Sequence, residues 1–147
     1  MSCELCDQAG GPLLWQGDRA RVVLVDDADY PGFCRVIWQA HVKEMTDLPE
    51  ADQLHLMRLV FAVEAVLRTV LQPEKINLAS LGNMTPHLHW HVIPRHASDP
   101  DPKNAVWGIP AESLKGSMSD DEKRSLVERL RGALLEATPH DARPPHR

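Results

Sequence analysis

The sequence predicts an α+β fold: a mainly antiparallel sheet packed with one long helix, followed by a C-terminal helical extension. Three observations lead there. Short β-branched or apolar runs recur at residues 21–25, 33–38, 76–81 and 88–93, each bounded by turn residues. Leu56, Val60, Val63, Leu67 and Val70 recur at steps of four, three, four and three, which places them on one face of an α-helix. The strands lie before and after that helix without regular β-α-β alternation, so a parallel, doubly wound sheet is not expected. The 147 residues suit a single core.

The elements follow in chain order. Cys3-x-x-Cys6 opens the chain, and Gly10-Gly11-Pro12 signals a turn before the short apolar piece Leu13-Leu14-Trp15. Arg21 to Val25 reads as a strand followed by acidic turn residues. Tyr30-Pro31-Gly32 is a turn, and Phe33 to Trp38 is a second strand, with Cys34 as a small buried apolar residue. Asp47 can cap the long helix and Pro49 suits its first turn. Pro73 cannot continue it. Ile76 to Leu81 reads as a strand, residues 82–86 as a loop, and Leu88 to Ile93 as another strand. Trp15, Trp38 and Trp90 are expected in the core.

After Arg95 the composition changes. His96 to Lys103 reads as a polar loop, and Trp107-Gly108-Ile109-Pro110 as a local anchor bordering the pocket or a partner subunit. Ser119-x-x-Glu122 is a capping-box pattern ahead of Leu126, Val127, Leu130, Ala133 and Leu134. A second helix is expected from about residue 120 to Ala137, and the tail from Pro139 to Arg147 is expected to be disordered. The division is therefore a domain over residues 1–110 and an extension over 111–147.

Composition removes several functions. Charged residues make up 25% of the chain, with 16 Lys and Arg against 21 Asp and Glu, a net charge of −5. That balance argues against a nucleic-acid surface, while small anionic ligands need only local donors. No apolar run approaches the roughly 20 residues of a membrane span. The first residues carry no basic start followed by an apolar stretch, so a cytoplasmic protein is expected. In that setting Cys3, Cys6 and Cys34 are thiols or metal ligands rather than disulfides.

The chemistry concentrates in His87-Leu88-His89-Trp90-His91-Val92-Ile93. On a strand, alternate side chains share a face. His87, His89 and His91 therefore form one row, while Leu88, Trp90 and Val92 turn toward the core. Three readings compete: a polar strand face that happens to carry histidine, a metal site built on the row, or catalysis by imidazoles that are nucleophilic and able to exchange protons near neutral pH.

The spacing His-φ-His-φ-His-φ-φ, with φ apolar, resembles the signature of the histidine-triad (HIT) family of nucleotide hydrolases and transferases. The flanks Asn77 to Asn83, Pro94-Arg95, Tyr30-Pro31-Gly32-Phe33 and the His41 to Leu48 segment resemble its bacterial branch. The likeness covers about residues 3–110. It implies attack by the middle histidine, His89, on the α-phosphorus of a nucleoside phosphate, commonly AMP-containing. A nucleotidyl-histidine results, which water then hydrolyses. His91 would assist the leaving group and His87 would orient the row. No cofactor is required for that chemistry if donors neutralise the phosphate. Asn77, Asn83 and Thr85 are candidate phosphate or ribose contacts; turn chemistry explains Asn83 equally well.

The resemblance implies two further features and contains one departure. Some relatives bind a structural zinc, and the matching positions here are Cys3, Cys6, His41 and His87, a Cys2His2 set. A homodimer is implied, and Leu54, Leu56, Met57, Leu59, Val60 and Phe61 make the helix apolar enough to serve both a core and an interface. Many relatives carry histidine where this chain has Phe33, which bears on how the triad is supported. Besides the enzyme, two alternatives stand: a purine-nucleotide binding module with little turnover, and a zinc-dependent hydrolase with the triad as ligands.

Overall fold

A computed structural model describes residues 2–107, 118–137 and 142–143. Its elements are α1 (Glu4–Asp7), β1 (Leu13–Gly17), β2 (Ala20–Leu24), β3 (Cys34–Trp38), α2 (Glu50–Leu71), β4 (Lys75–Ala79), β5 (His89–Arg95), α3 (Asp120–Ala137) and β6 (Ala142–Arg143). The sheet order is β4-β5-β3-β2-β1-β6, antiparallel at every pairing. The α+β class expected from the sequence is the class observed.

Side-chain alternation divides the sheet into two faces. Val22, Val36, Trp90, Cys34 and Val92 turn toward α2 and join a core with Leu56, Leu59, Val60, Val63 and Leu67. That stripe is the one read from the helical period, with Val70 at its partly buried end. Helix α3 adds Leu126, Leu130 and Leu134, each almost fully buried in the same core, so the C-terminal helix packs onto the domain rather than projecting from it. The capping box is present: the Ser119 amide donates to Glu122 Oε2 at 2.7 Å, and the Glu122 amide donates to Ser119 Oγ at 3.2 Å.

Several boundaries move. Asp47 does not cap α2. It closes a separate 3-10 turn (Met45–Asp47), where its carboxylate accepts from the Glu44 amide at 3.0 Å. Leu48 precedes a proline and is extended, so the helix starts afresh at Pro49, whose ψ is 151°. The short piece at Leu13 is a full strand with a bulge. β5 starts at His89 and runs to Arg95, past the expected end at Ile93; Pro94 is tolerated because the β3 pairing has stopped at Val92. Residues 108–110 of the expected Trp107 anchor, and the 110/111 boundary, lie outside the described residues. So does the tail, except that Ala142 and Arg143 pair with Gly17 and Gln16.

Candidate active site

The face opposite α2 carries the triad histidines. The register sets Ile37 opposite His89 and Arg35 opposite His91, so these four side chains share that face. His87, His89 and His91 are all buried. They are not equivalent, because each is held by a different contact.

His87 turns away from the other two. Its Nε2–H donates to the backbone oxygen of Trp38 at 2.6 Å, which leaves Nδ1 as an acceptor. That nitrogen lies 3.4 Å from Cys3 Sγ, 3.5 Å from Cys6 Sγ and 3.2 Å from His41 Nδ1, and Cys6 Sγ is 3.4 Å from His41 Nδ1. The four ligand atoms lie within 4.8 Å of one another. Tetrahedral zinc with bonds of about 2.0–2.3 Å separates its ligands by roughly 3.3–3.8 Å, so the donor set and its spacing fit that ion. The Trp38 carbonyl on Nε2 is the outer contact that would fix this imidazole's tautomer. Among the described residues this is the one converging group of metal-ligating side chains, and it takes only His87 from the triad.

Arg21 holds the cysteine turn in place. Its guanidinium donates to the backbone oxygens of Ala9 at 3.0 Å, Leu5 at 2.6 Å and Gln8 at 3.1 Å, and also to Gln39. Burial lowers its pKa from the ordinary value, with the Cys6 and Cys3 side chains acting in the opposite direction.

His89 is oriented by the chain itself. Its Nδ1–H donates to the His87 carbonyl at 2.5 Å, which leaves the Nε2 lone pair uncommitted. Ser80 Oγ donates to the His89 carbonyl at 2.9 Å and pins that backbone. Burial lowers the His89 pKa, and the nearby Arg35 charge acts in the same direction.

His91 sits in an aromatic cage. Its ring meets Phe33 edge-on at 5.5 Å, Trp107 at 4.9 Å and His89 at 4.8 Å. Its Nδ1 is buried without a hydrogen-bond partner. The departure at position 33 thus has a structural consequence: an apolar ring edge abuts the imidazole where a histidine could offer a polar atom. Burial, then the charges of His89 and Arg35, push the His91 pKa down to about 3.

A cavity of about 380 Å³ is lined by Arg35, the 81–85 loop, His89, His91 and Trp107. Asn83 and Thr85 are therefore brought to the histidines, whereas Asn77 is not. Its Oδ1 accepts from Arg95 at 2.8 Å, and it lines a separate hollow of about 670 Å³ along β4 that contains neither His89 nor His91. Arg95 organises the segment after β5. It pairs with Asp99 at 2.7 Å and donates to the Asn104 and Asp101 carbonyls at 2.7 and 2.6 Å, fixing the chain that carries Trp107.

Sequence reasoning missed Arg35 and left Trp107 out of the site. The signal for Arg35 was available. Period-two alternation sets it on the face opposite Cys34 and Val36, where a lone charge between apolar residues needs a reason.

With this geometry defined, comparison with known proteins gives the class. The HIT domain pattern matches residues 10–98, which include the whole triad. The chain belongs to the HIT domain family. It is similar to a histidine triad protein from Marinobacter aquaeolei VT8, at 25% identity and TM-score 0.72, covering 93% of this chain and 97% of that one. It is similar to a second from Sinorhizobium meliloti 1021, at 28% identity and TM-score 0.72, covering 91% and 96%. A zinc-bound histidine triad family protein from Mycobacterium smegmatis shares the fold at 20% identity and TM-score 0.62, covering 95% and 97%. No curated protein matches this chain.

Proposed function

We propose that this protein is a nucleotide phosphohydrolase or nucleotidyl transferase that works through His89. The observation that carries the reading is the Nδ1–H bond from His89 to the His87 carbonyl, in a ring that burial holds neutral beside a nucleotide-sized cavity. In the proposed reaction, the His89 Nε2 lone pair attacks the α-phosphorus of a nucleoside phosphate, commonly an AMP-containing one. The bond from phosphorus to the leaving group breaks, and its electron pair departs with that group. Water then cleaves the phosphorus–nitrogen bond, releasing the nucleoside monophosphate and restoring His89. His91 lies at the same cavity as a neutral hydrogen-bond donor toward the leaving group. Asn83 and Thr85 are the proposed phosphate contacts.

The cysteine–histidine cluster is read as a structural zinc site held by Cys3, Cys6, His41 and His87. The metal's contribution would be to fix the turn that carries the cysteines and the start of the triad. The chemistry needs no other cofactor in this scheme. A zinc-dependent hydrolase with all three histidines as ligands is disfavoured because the converging cysteine–histidine group takes only His87 from the triad.

A homodimer is proposed as well. Leu54 and Phe61 on α2 remain 54% and 53% exposed, and β4 lies at the edge of the sheet. Sedimentation at micromolar concentration checks this; a lone 16.5 kDa species would count against it. The partners are a small nucleotide and a second copy, in the cytoplasm, with no role for nucleic acid or a membrane. No helix among the described residues is long and apolar enough to cross a membrane.

The direct test is mass spectrometry after mixing with an AMP-containing substrate, with and without chelator. A chelator-insensitive nucleotidyl adduct that is lost in His89→Ala is expected. Tight nucleotide binding with neither adduct nor turnover would instead support the purine-nucleotide binding module, the reading favoured by the orphaned His91 Nδ1.

A further inference from the structure

Arg35 carries a positive charge and lies opposite His91 in the β3–β5 pairing. Among the described residues no carboxylate pairs with it. Its Nη1 reaches only the Gly10 carbonyl, at 3.3 Å, and its Nε is buried without a partner. The guanidinium lies 5.9 Å from the Phe33 ring centroid, at the aromatic cage that holds His91. A buried donor left without a partner is costly, and this guanidinium lines the same cavity as His89 and His91.

The rest of the cavity makes the charge more conspicuous. Its other lining residues, the 81–85 loop, His89, His91 and Trp107, include no lysine and no second arginine. Phe33 offers His91 no polar atom that could hold it protonated. A phosphate oxyanion entering the cavity would therefore meet one permanently charged side chain among these lining residues, Arg35. Arginine suits that role, since its planar fork matches two phosphate oxygens.

We propose that Arg35 is the anion-binding residue of this cavity, its guanidinium taking a phosphate oxygen of the nucleotide beside His89 and His91. The proposal rests on the reading of the cavity as a nucleotide site, but not on the covalent mechanism. The phosphate oxygen can belong to the group that His89 attacks or to the next phosphate along. Arg35 sits directly opposite His91 and two residues along β3 from Ile37, the partner of His89.

Calorimetric titration of the parent protein, Arg35→Leu and Arg35→Lys with adenosine, AMP and ADP tests this without turnover. Thermal unfolding confirms that each variant is folded, and the Lys variant keeps the charge if Leu proves disruptive. In Arg35→Leu, nucleotide affinity is expected to fall about 10–100-fold while adenosine stays within about threefold, and Lys is expected to recover most of the loss. Loss with AMP and ADP together assigns the contact to the phosphate that His89 would attack; loss with ADP alone assigns it to the second phosphate. Nucleotide affinity unchanged in Arg35→Leu, a fall shared equally by adenosine, or a parent that binds no nucleotide overturns the proposal. Failure of the covalent reading shows separately, as a parent that binds nucleotide through Arg35 yet forms no adduct.

Discussion

The carbonyl oxygen of His87 accepts the Nδ1–H of His89 at 2.5 Å. One residue therefore belongs to two structures. The side chain of His87 faces the cysteines, and its backbone sets the tautomer of the residue proposed to attack phosphorus. The N-terminal cysteine turn and the orientation of the His89 ring therefore meet at one residue, through its side chain and its backbone respectively.

His89→Ala should abolish the nucleotidyl adduct and reduce kcat/KM far more than any other triad change, because it removes the attacking atom. His91→Ala should lower kcat/KM by about 10²–10⁴-fold, the range typical of lost proton or hydrogen-bond assistance. Normal turnover by His89→Ala would falsify the covalent route.

Cys3→Ser should lower zinc content and thermal stability together while leaving more activity than His89→Ala. The cluster joins α1 to His41 and His87 across the chain, so its loss should cost about 2–4 kcal/mol, or roughly 6–15 °C in Tm. Metal analysis of the Cys3→Ser/Cys6→Ser double variant decides the ligand set: zinc retained at full stoichiometry would exclude the cysteines and point to the triad.

His91 makes the fold sensitive to acid. Its pKa is about 3 in the folded protein against 6.5 ordinarily. Between those values the unfolded chain binds the extra proton, so stability is complete above about pH 6.5 and falls as pH drops toward 3. His91→Phe, which keeps a ring beside Phe33 and Trp107, should narrow the stability gap between pH 7 and pH 4.5 in urea unfolding. An unchanged gap would mean that His91 does not titrate as its burial requires.

Leu130→Ala should destabilise the whole domain by about 2–5 kcal/mol, as for other fully buried leucines. Leu130 lies in the same core as Leu59 and Val60, so α3 should unfold with the sheet. Circular dichroism and tryptophan fluorescence should report one transition. Two separate transitions would make α3 an independent appendage.

Local pattern by itself determined a good deal of this protein. The four-three repeat from Leu56 to Val70 had one solution, a helix with one buried face, because no other backbone period brings those side chains together. The alternation from Leu88 to Val92 likewise fixed which side chains meet α2. The triad motif pointed to the family, and the resemblance named the four residues of the cysteine–histidine cluster. Tertiary structure decided what depends on contacts between distant segments. Asn77 was read as a substrate contact, and its side-chain oxygen is engaged by Arg95, 18 residues away. Asp47 looked like the cap of α2, but it closes a turn with Glu44. Arg35 looked like an ordinary strand residue until the β3–β5 register set it beside His91. Helical and strand periods are local properties of the backbone, legible from residue spacing. The partner of a buried polar group is chosen by packing between segments far apart in the chain, and one sequence read without its fold does not carry that choice.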